Sequence, residues 1–165
     1  MLRAPLQVVV IPFHTSSWSG VEYCLHQCDD GTWEAIVCAN DGLESPAETA
    51  RRATCGVGIV PEAPLYQLQS MDTIPVGVRE RERWATDRYA IPRYTFGVDV
   101  GELEVVPADE GGERVWMNYP AAHAALGQRS LQNALWELHE RIHCHDLRYP
   151  APAGRPRPAR VTDPG

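Results

Sequence analysis

The stretch from Trp33 to Val60 constrains the fold more than any other part of the chain. Near its start, Ala35 to Cys38 form a short apolar run, which is typical of a buried strand. Asn40-Asp41-Gly42 follows and favours a turn, because an Asn or Asp side chain bonds its own backbone and Gly accepts positive φ. The stretch therefore begins as a strand that ends in a tight turn.

A helix start follows this turn. Ser45 is suited to the N-cap, Pro46 to the first helical position, and Glu48 to a side chain that reaches back to the cap. Gly56 and Gly58 are expected to end the helix, because Gly adopts the left-handed conformation that commonly follows one. Strand, loop, helix and loop are thus predicted in immediate succession.

Length, charge and cysteine content limit the class of protein. The chain has 165 residues, 44% of them hydrophobic, which suits one globular domain with its own core. Its net charge of −7 disfavours binding to nucleic acid or to an acidic membrane surface. The apolar run from Leu6 to Phe13 is too short to span a membrane or to form a secretory signal. An odd number of cysteines favours free thiols and a cytoplasmic protein.

Hydrophobic patterns divide the rest of the chain into elements. A short helix is predicted from Tyr119, and a long amphipathic helix over Ser130–Cys144. The Pro- and Arg-rich residues 148–165 predict a disordered tail after a domain that spans residues 1–147. Strands are predicted at Leu6–His14, Val21–Cys28, Leu65–Met71, Pro92–Val100 and Glu113–Met117.

The stretch from Trp33 resembles the Nudix box. That pattern has a Gly, a Glu six residues later, Arg-Glu eight and nine residues further on, and then two more Glu and a Gly. Glu44 and Arg52 match the first Glu and the Arg. The remaining positions differ: Cys38 stands at the first Gly, Ala53, Gly56 and Val57 at the other three Glu, and Ile59 at the last Gly.

The second half of the chain adds to the resemblance. An aromatic residue in a long loop, Ile91-Pro92 before Tyr94-x-Phe96, and Glu113-x-x-Trp116 before a short helix resemble one Nudix branch. That branch includes the dihydroneopterin triphosphate pyrophosphatases. The resemblance covers roughly residues 6 to 143 and implies an α/β fold, the Nudix-type α/β/α sandwich with a mixed sheet. The box helix is expected on one side of the sheet and the last helix on the other.

The resemblance also implies site residues. Family members cleave a diphosphate linkage with Mg²⁺ held by helix carboxylates, which makes Glu44 a catalytic and metal-binding candidate. Glu48 is a second metal candidate, with the helix cap as its alternative role. Arg52 is expected to form a structural ion pair, with Glu44 as its partner. Glu113 matches a late Glu that serves as base or metal ligand in some members. Because Ala53, Gly56 and Val57 carry no side-chain oxygen, Mg²⁺ binding is expected to be weak or absent.

Substrate-binding candidates lie outside the box helix. Trp33 is expected at the mouth of the site, with a place in the core or rim as its alternative. Residues 72–88 form a long connection, and long connections in compact domains are often functional. Arg79, Arg81, Arg83 and Trp84 within it are suited to grip a phosphate and stack on a base or pterin ring, or else form a solvated surface.

Three functions therefore remain open from the sequence. The first is a Nudix-type protein that binds a nucleotide-like phosphorylated ligand with weakened or lost hydrolysis. The second is an active Mg²⁺-dependent diphosphohydrolase that uses non-standard carboxylates. The third is an interaction domain without a small ligand. The oligomeric state is open in all three.

Two further groups have metal-ligand spacing. Cys24 and Cys28 are four residues apart in a predicted strand and would share a face, although no second pair accompanies them. His139 and His143 share a helix face, and their alternative role is favourable charge near the helix C-terminus.

Overall fold

The computed structural model describes residues 5–16, 20–40, 42–77, 88–101 and 114–147. Within these ranges the chain forms one mixed sheet of seven strands and three helices. The strands are β1 (Leu6–Ser16), β2 (Gly20–Gln27), β3 (Trp33–Glu34), β4 (Ile36–Asn40), β5 (Leu65–Pro75), β6 (Ala90–Asp99) and β7 (Arg114–Asn118). The helices are α1 (Pro46–Gly56), α2 (Tyr119–Ala125) and α3 (Arg129–His143).

Strand β1 is the centre of the sheet, and its apolar middle, Val8 to Phe13, fits this place. On one edge its first half pairs with β4 and its second half with β2, both antiparallel. On the other edge it pairs in parallel with β6, which in turn pairs antiparallel with β5. Strand β2 pairs antiparallel with β7 along most of its length and with β3 at its C-terminal end. Because β1 has neighbours on both edges and a core on both faces, polar side chains are excluded from its middle.

The alternation of side chains along β1 separates two cores. Val8 and Val10 point to one face, where they pack with Ala47, Ala50 and the rest of the α1 side. Val9 and Ile11 point to the other face, where the apolar stripe of α3 covers them; it comprises Leu131, Ala134, Leu135 and Leu138. The two helices therefore lie on opposite faces of the sheet, which confirms the predicted α/β/α sandwich.

Helix α3 approaches β6 closely at Gly97. A Cβ atom placed on Gly97 would lie 2.6 Å from Leu138 Cδ1 and 3.0 Å from its Cδ2. Both residues are buried, and Leu138 is fully so. The absence of a side chain at Gly97 therefore sets how near α3 packs to the sheet.

Strand β5 is longer than the sequence predicts, and this shortens the connection that follows. Pairing with β6 continues to Pro75 instead of ending at Met71. Arg93, which is buried, holds this extension by donating from Nε and Nη2 to the Asp72 carboxylate at 2.7 and 2.6 Å. A bulge in β5 precedes the extension. The Glu137 carboxylate of α3 accepts hydrogen bonds from two backbone N–H groups of this bulge. The assignment of residues 72–75 to a connection was wrong.

Candidate functional site

The start of α1 is fastened by the predicted capping box. The Glu48 backbone N–H donates to Ser45 Oγ at 3.2 Å, and the Ser45 N–H donates to Glu48 Oε2 at 2.9 Å. Pro46 occupies the first turn, where its missing N–H costs nothing. The helix ends at Gly56, and Gly58 has a φ of +89°, as expected for a chain that leaves a helix. At least one oxygen of Glu48 is thus engaged by the cap.

Glu44 and Arg52 form a close ion pair at the box. Arg52 donates from Nε to both carboxylate oxygens of Glu44, at 3.0 and 3.1 Å, and from Nη2 to Oε1 at 2.8 Å. The same Nη2 donates to the Ala39 carbonyl at 3.2 Å. The hydrogen bond with Glu44 raises the pKa of Arg52, and the nearby Cys38 thiol adds to this effect. The arrangement holds the Glu44 carboxylate against the end of β4.

The backbone around Glu44 is fixed by Asn40. The side-chain amide of Asn40 donates to the Glu44 carbonyl at 3.5 Å and also to the hydroxyl of Thr49 on α1. Its oxygen accepts from the Gly42 N–H, the Asx turn predicted from the sequence. Thr49 is fully buried and donates to the Ser45 carbonyl at 3.0 Å. Strand β4, the turn and the first turn of α1 therefore form one hydrogen-bonded unit.

The three unmatched Glu positions of the box differ in their surroundings. Ala53 and Val57 are 9% and 7% exposed and belong to the core between α1 and the sheet. Gly56 is exposed, and a Cβ atom added there would meet nothing within 4 Å. Two of the three positions therefore contribute apolar packing, and the third faces solvent.

These residues do not fit the magnesium site that the fold family implies. Mg²⁺ takes oxygen ligands in near-octahedral geometry and is usually held by carboxylates. At the described part of the box the carboxylates are Glu44, which accepts three hydrogen bonds from Arg52, and Glu48, which caps α1. Ala53, Gly56 and Val57 offer no side-chain oxygen.

Of the other predicted site residues, Trp33 lies in the described part of the chain, and it is not brought to this place. Trp33 is half-buried and packs against the core on the α3 side, whereas α1 covers the opposite face. Arg79, Arg81, Arg83, Trp84 and Glu113, and the tail 148–165, lie outside the described residues.

His139 takes part in an aromatic cluster on α3. Its Nδ1 lies 2.7 Å from the Tyr23 hydroxyl, and its ring stacks on Tyr119 with centroids 4.1 Å apart. Burial and the neighbouring His143 lower the pKa of His139. His143 places its own Nδ1 2.8 Å from the His139 carbonyl. The His139 ring is thus bound to β2, and the His143 ring to the backbone of α3.

One cluster of side chains that could bind a metal was not predicted from the sequence. Among the described residues, His26, Cys28 and Glu34 form a group whose ligand atoms all lie within 4.8 Å of one another. Cys24, four residues before Cys28, lies in the α1-side core, and burial raises its pKa to about 11. The strand ends at Gln27, before Cys28. The sequence did contain one sign of this cluster, a His-x-Cys pattern at the end of a predicted strand. Glu34 could not be added from the sequence, because it reaches the cluster through the pairing of β3 with β2.

Comparison with known proteins identifies the fold. No protein-family model matches the chain, and no curated protein matches it in sequence. A protein from Listeria monocytogenes, named a NUDIX hydrolase, superposes with a TM-score of 0.72 at 24% identity, over 87% of this chain and 98% of its own. The E. coli dihydroneopterin triphosphate pyrophosphohydrolase has a TM-score of 0.64 at 15% identity, over 81% and 95%.

The Nudix domain of Shewanella oneidensis NrtR, solved in complex with ADP ribose, is also similar. Its TM-score is 0.57 at 16% identity, over 86% of this chain and 90% of that domain. The chain therefore has the Nudix fold, and the resemblance seen in its sequence is confirmed at this level. In the described part of the chain, no helix combines the length and the apolar character needed to cross a membrane.

Proposed function

We propose that this chain is a Nudix-fold protein that binds a nucleotide-like phosphorylated ligand and whose metal-dependent hydrolysis is weakened or lost. The observation that carries the proposal is the use of the box carboxylates for structure. The Glu44 carboxylate forms an ion pair with Arg52, and the Glu48 carboxylate caps α1. With Ala53, Gly56 and Val57 at the other three Glu positions, the box lacks further carboxylates to hold a hydrolytic metal.

Releasing Glu44 would have a modest cost for the local structure. Three charge-assisted hydrogen bonds from Arg52 would be lost, and bonds of this type are roughly twice as strong as neutral ones. The pair is partly exposed, with 51% and 31% of the two side chains accessible, so its net contribution to stability is about 1 kcal/mol. Mg²⁺ also dehydrates reluctantly, so one released carboxylate is a weak site for it unless the phosphates of a ligand complete the coordination.

Retention of a ligand site is supported by similarity and by residue type. The domain of Shewanella oneidensis NrtR, which has the same fold, is known in complex with ADP ribose. We assign phosphate contacts in this chain to Arg79, Arg81 and Arg83, because guanidinium groups bind phosphate oxygens in a bidentate way. Trp84 is assigned to stacking on a base. Five free cysteines accord with a cytoplasmic protein.

The test combines binding and turnover on one panel of compounds. Nucleoside triphosphates, dinucleotides, ADP ribose and dihydroneopterin triphosphate are offered with Mg²⁺ or Mn²⁺. Melting temperature and release of phosphate or pyrophosphate are both measured. We expect at least one compound to stabilise the protein according to RT ln(1 + [L]/Kd), without turnover. The shift should be lost in the triple variant Arg79→Ala, Arg81→Ala, Arg83→Ala and kept in Arg129→Ala, an exposed arginine at the start of α3.

Each alternative has its own result. Metal-dependent turnover of about 1 per second or faster would identify an active diphosphohydrolase that uses Glu44, Glu48 and Glu113 as non-standard ligands. Neither binding nor turnover across the panel would identify an interaction domain without a small ligand.

A further inference from the structure

A group of three metal-ligand side chains lies at the turn between β2 and β3. His26 Nε2 is 4.0 Å from Cys28 Sγ and 4.0 Å from Glu34 Oε2. We propose that His26, Cys28 and Glu34 bind a divalent transition metal, with Zn²⁺ as the preferred ion. This site is separate from the box, and the inference does not depend on the ligand or activity proposed above.

Strand register is what brings the three side chains together. His26 of β2 pairs directly with Glu34 of β3, so their side chains emerge next to each other on one face. Cys28 follows His26 by two residues and, with the period of an extended chain, points to the same side. The backbone pairing therefore brings the three side chains near one another, and their rotamers set the final separations.

The turn between the two strands is well fastened. The Cys28 N–H donates to the Thr32 carbonyl at 2.7 Å, and the Gly31 N–H donates to the Cys28 carbonyl at 2.9 Å. Asp30 accepts from both the N–H and the hydroxyl of Thr32, at 3.0 and 2.6 Å. Gly31 supplies the positive φ of +86° that this turn requires. Holding the backbone of Cys28 in place lowers the entropy lost when its thiolate binds a metal.

The spacing is close to that of a zinc site. Zn²⁺ holds N, O and S ligands at about 2.0 to 2.3 Å, which in tetrahedral geometry places ligand atoms roughly 3.3 to 3.8 Å apart. The present separations, 4.0 Å and at most 4.8 Å, are slightly wider. All three side chains are at least partly exposed, so modest rotations about their side-chain bonds can close the difference.

The donor atoms select the class of metal. A thiolate and an imidazole favour Zn²⁺ and related transition ions, whereas Mg²⁺ and Ca²⁺ prefer oxygen alone. Three protein ligands leave a fourth position that faces solvent, where water or an anionic oxygen of a ligand completes the tetrahedron. The site therefore resembles an open zinc site in its ligand count, not a closed four-ligand structural site.

The local carboxylates suit a cation. Glu34 is itself one of the three proposed ligands, and Asp30 lies in the same turn, where it accepts hydrogen bonds from Thr32. A bound divalent ion would supply the positive charge that these two carboxylates attract.

Arg114 opposes binding. Its Nη1 lies 3.5 Å from His26 Nδ1. When Nε2 holds a metal, Nδ1 carries the proton, and two N–H groups then face each other unless Arg114 turns aside. Metal-bound imidazoles usually donate this proton to an oxygen acceptor. We therefore expect a Kd of about 1 µM, and we expect Arg114→Gln, which offers an amide oxygen, to bind at least as tightly.

The experiment is a zinc titration of the reduced, chelator-stripped protein in competition with a chromophoric chelator. One equivalent of Zn²⁺ should bind. Cys28→Ser should weaken binding at least tenfold, and Glu34→Gln several-fold. Cys55→Ser and His143→Gln remove an exposed thiol and an exposed imidazole elsewhere and should leave the affinity unchanged. Circular dichroism and the urea unfolding midpoint verify that every variant is folded.

Substitution of Co²⁺ for Zn²⁺ gives a second measurement. A cobalt–thiolate charge-transfer band should appear with the parent protein and with Cys55→Ser, and should be absent with Cys28→Ser. The proposal is overturned if the parent binds no Zn²⁺ at micromolar concentration, or if Cys55→Ser or His143→Gln lowers the affinity as much as Cys28→Ser. Weaker binding by Arg114→Gln would exclude coordination through Nε2.

Discussion

Glutamate restored at positions 53, 56 and 57 is expected to affect stability very differently at each position. Val57 is 7% exposed in the core beside α1. Val57→Glu loses about 1.5 to 3 kcal/mol of apolar burial, and a carboxyl group in its place adds a desolvation penalty. We expect a net loss of about 3 kcal/mol for Val57→Glu, and about 2 to 3 kcal/mol for Ala53→Glu, whose position is 9% exposed.

Gly56→Glu should behave differently, because the position is open. A Cβ atom there meets nothing within 4 Å, and the φ angle of Gly56 is not positive. The gain in helix propensity, about 1 kcal/mol, is offset by about 0.3 to 1 kcal/mol for a negative charge at a helix C-terminus. The net change should be close to zero.

Urea unfolding of the three single variants measures these differences, and pH separates their causes. A Glu carboxyl buried at position 57 has a folded pKa above its unfolded value of about 4.3. The protonated form is then favoured by folding, so the destabilisation is complete above the folded pKa and disappears as pH falls below the unfolded pKa. The stability gap between Val57→Glu and the neutral control Val57→Gln should therefore close between pH 7 and pH 4.

The triple variant with Glu at positions 53, 56 and 57 tests function as well as stability. If the three carboxylates converge near Glu44, their mutual repulsion is relieved by a cation, and Mg²⁺ at one hundred times its Kd restores about 2.7 kcal/mol. We expect measurable cleavage of a diphosphate compound above the parent level. If Val57→Glu is as stable as Gly56→Glu, position 57 faces a cleft and the reasoning from burial is refuted. If the triple variant binds Mg²⁺ without gaining activity, the ligand pocket is defective.

Three further predictions concern packing, pH and the tail. Gly97→Ala should cost about 1 to 3 kcal/mol, because the added methyl meets Leu138 at 2.6 Å. Leu138→Ala should then cost less in that variant than in the parent by urea unfolding, and equal costs would contradict the close contact. His139 has a lowered pKa, so the unfolded chain binds more protons and stability should fall as pH drops below about 6.5. His139→Gln should show a shallower dependence of the unfolding midpoint on pH, and an unaltered slope would exclude His139 as a cause. Removal of residues 150–165 should shift the melting temperature by less than about 1 °C, because a Pro- and Arg-rich segment adds no core. A drop of several degrees would mean that the segment docks on the domain.

Features that depend on neighbouring residues could be predicted from the sequence. The capping box of Ser45 and Glu48 and the turn at Asn40 involve partners no more than a few residues apart. The strand at β1 was predicted from its apolar run, and such a run suits a strand covered on both faces. The amino-acid sequence alone therefore predicted most of the element order and, through resemblance, the α/β/α sandwich.

The candidate site could be predicted only in part. Glu44 and Arg52 were recognised by spacing, but the three hydrogen bonds that close the pair depend on how α1 lies against β4. The core positions of Ala53 and Val57 likewise depend on which face of α1 meets the sheet. Trp33 was assigned to the site, yet its contacts are with the opposite core.

Tertiary structure alone decided the features that depend on strand register. The extension of β5 requires Asp72 to meet Arg93 across the sheet, twenty-one residues away in sequence. The cluster of His26, Cys28 and Glu34 exists because β2 pairs with β3 at one particular offset. A shift of one residue would turn Glu34 to the other face and remove the cluster. Sequence patterns specify the direction of side chains along one strand, whereas the pairing of two strands is settled by the packing of the whole sheet.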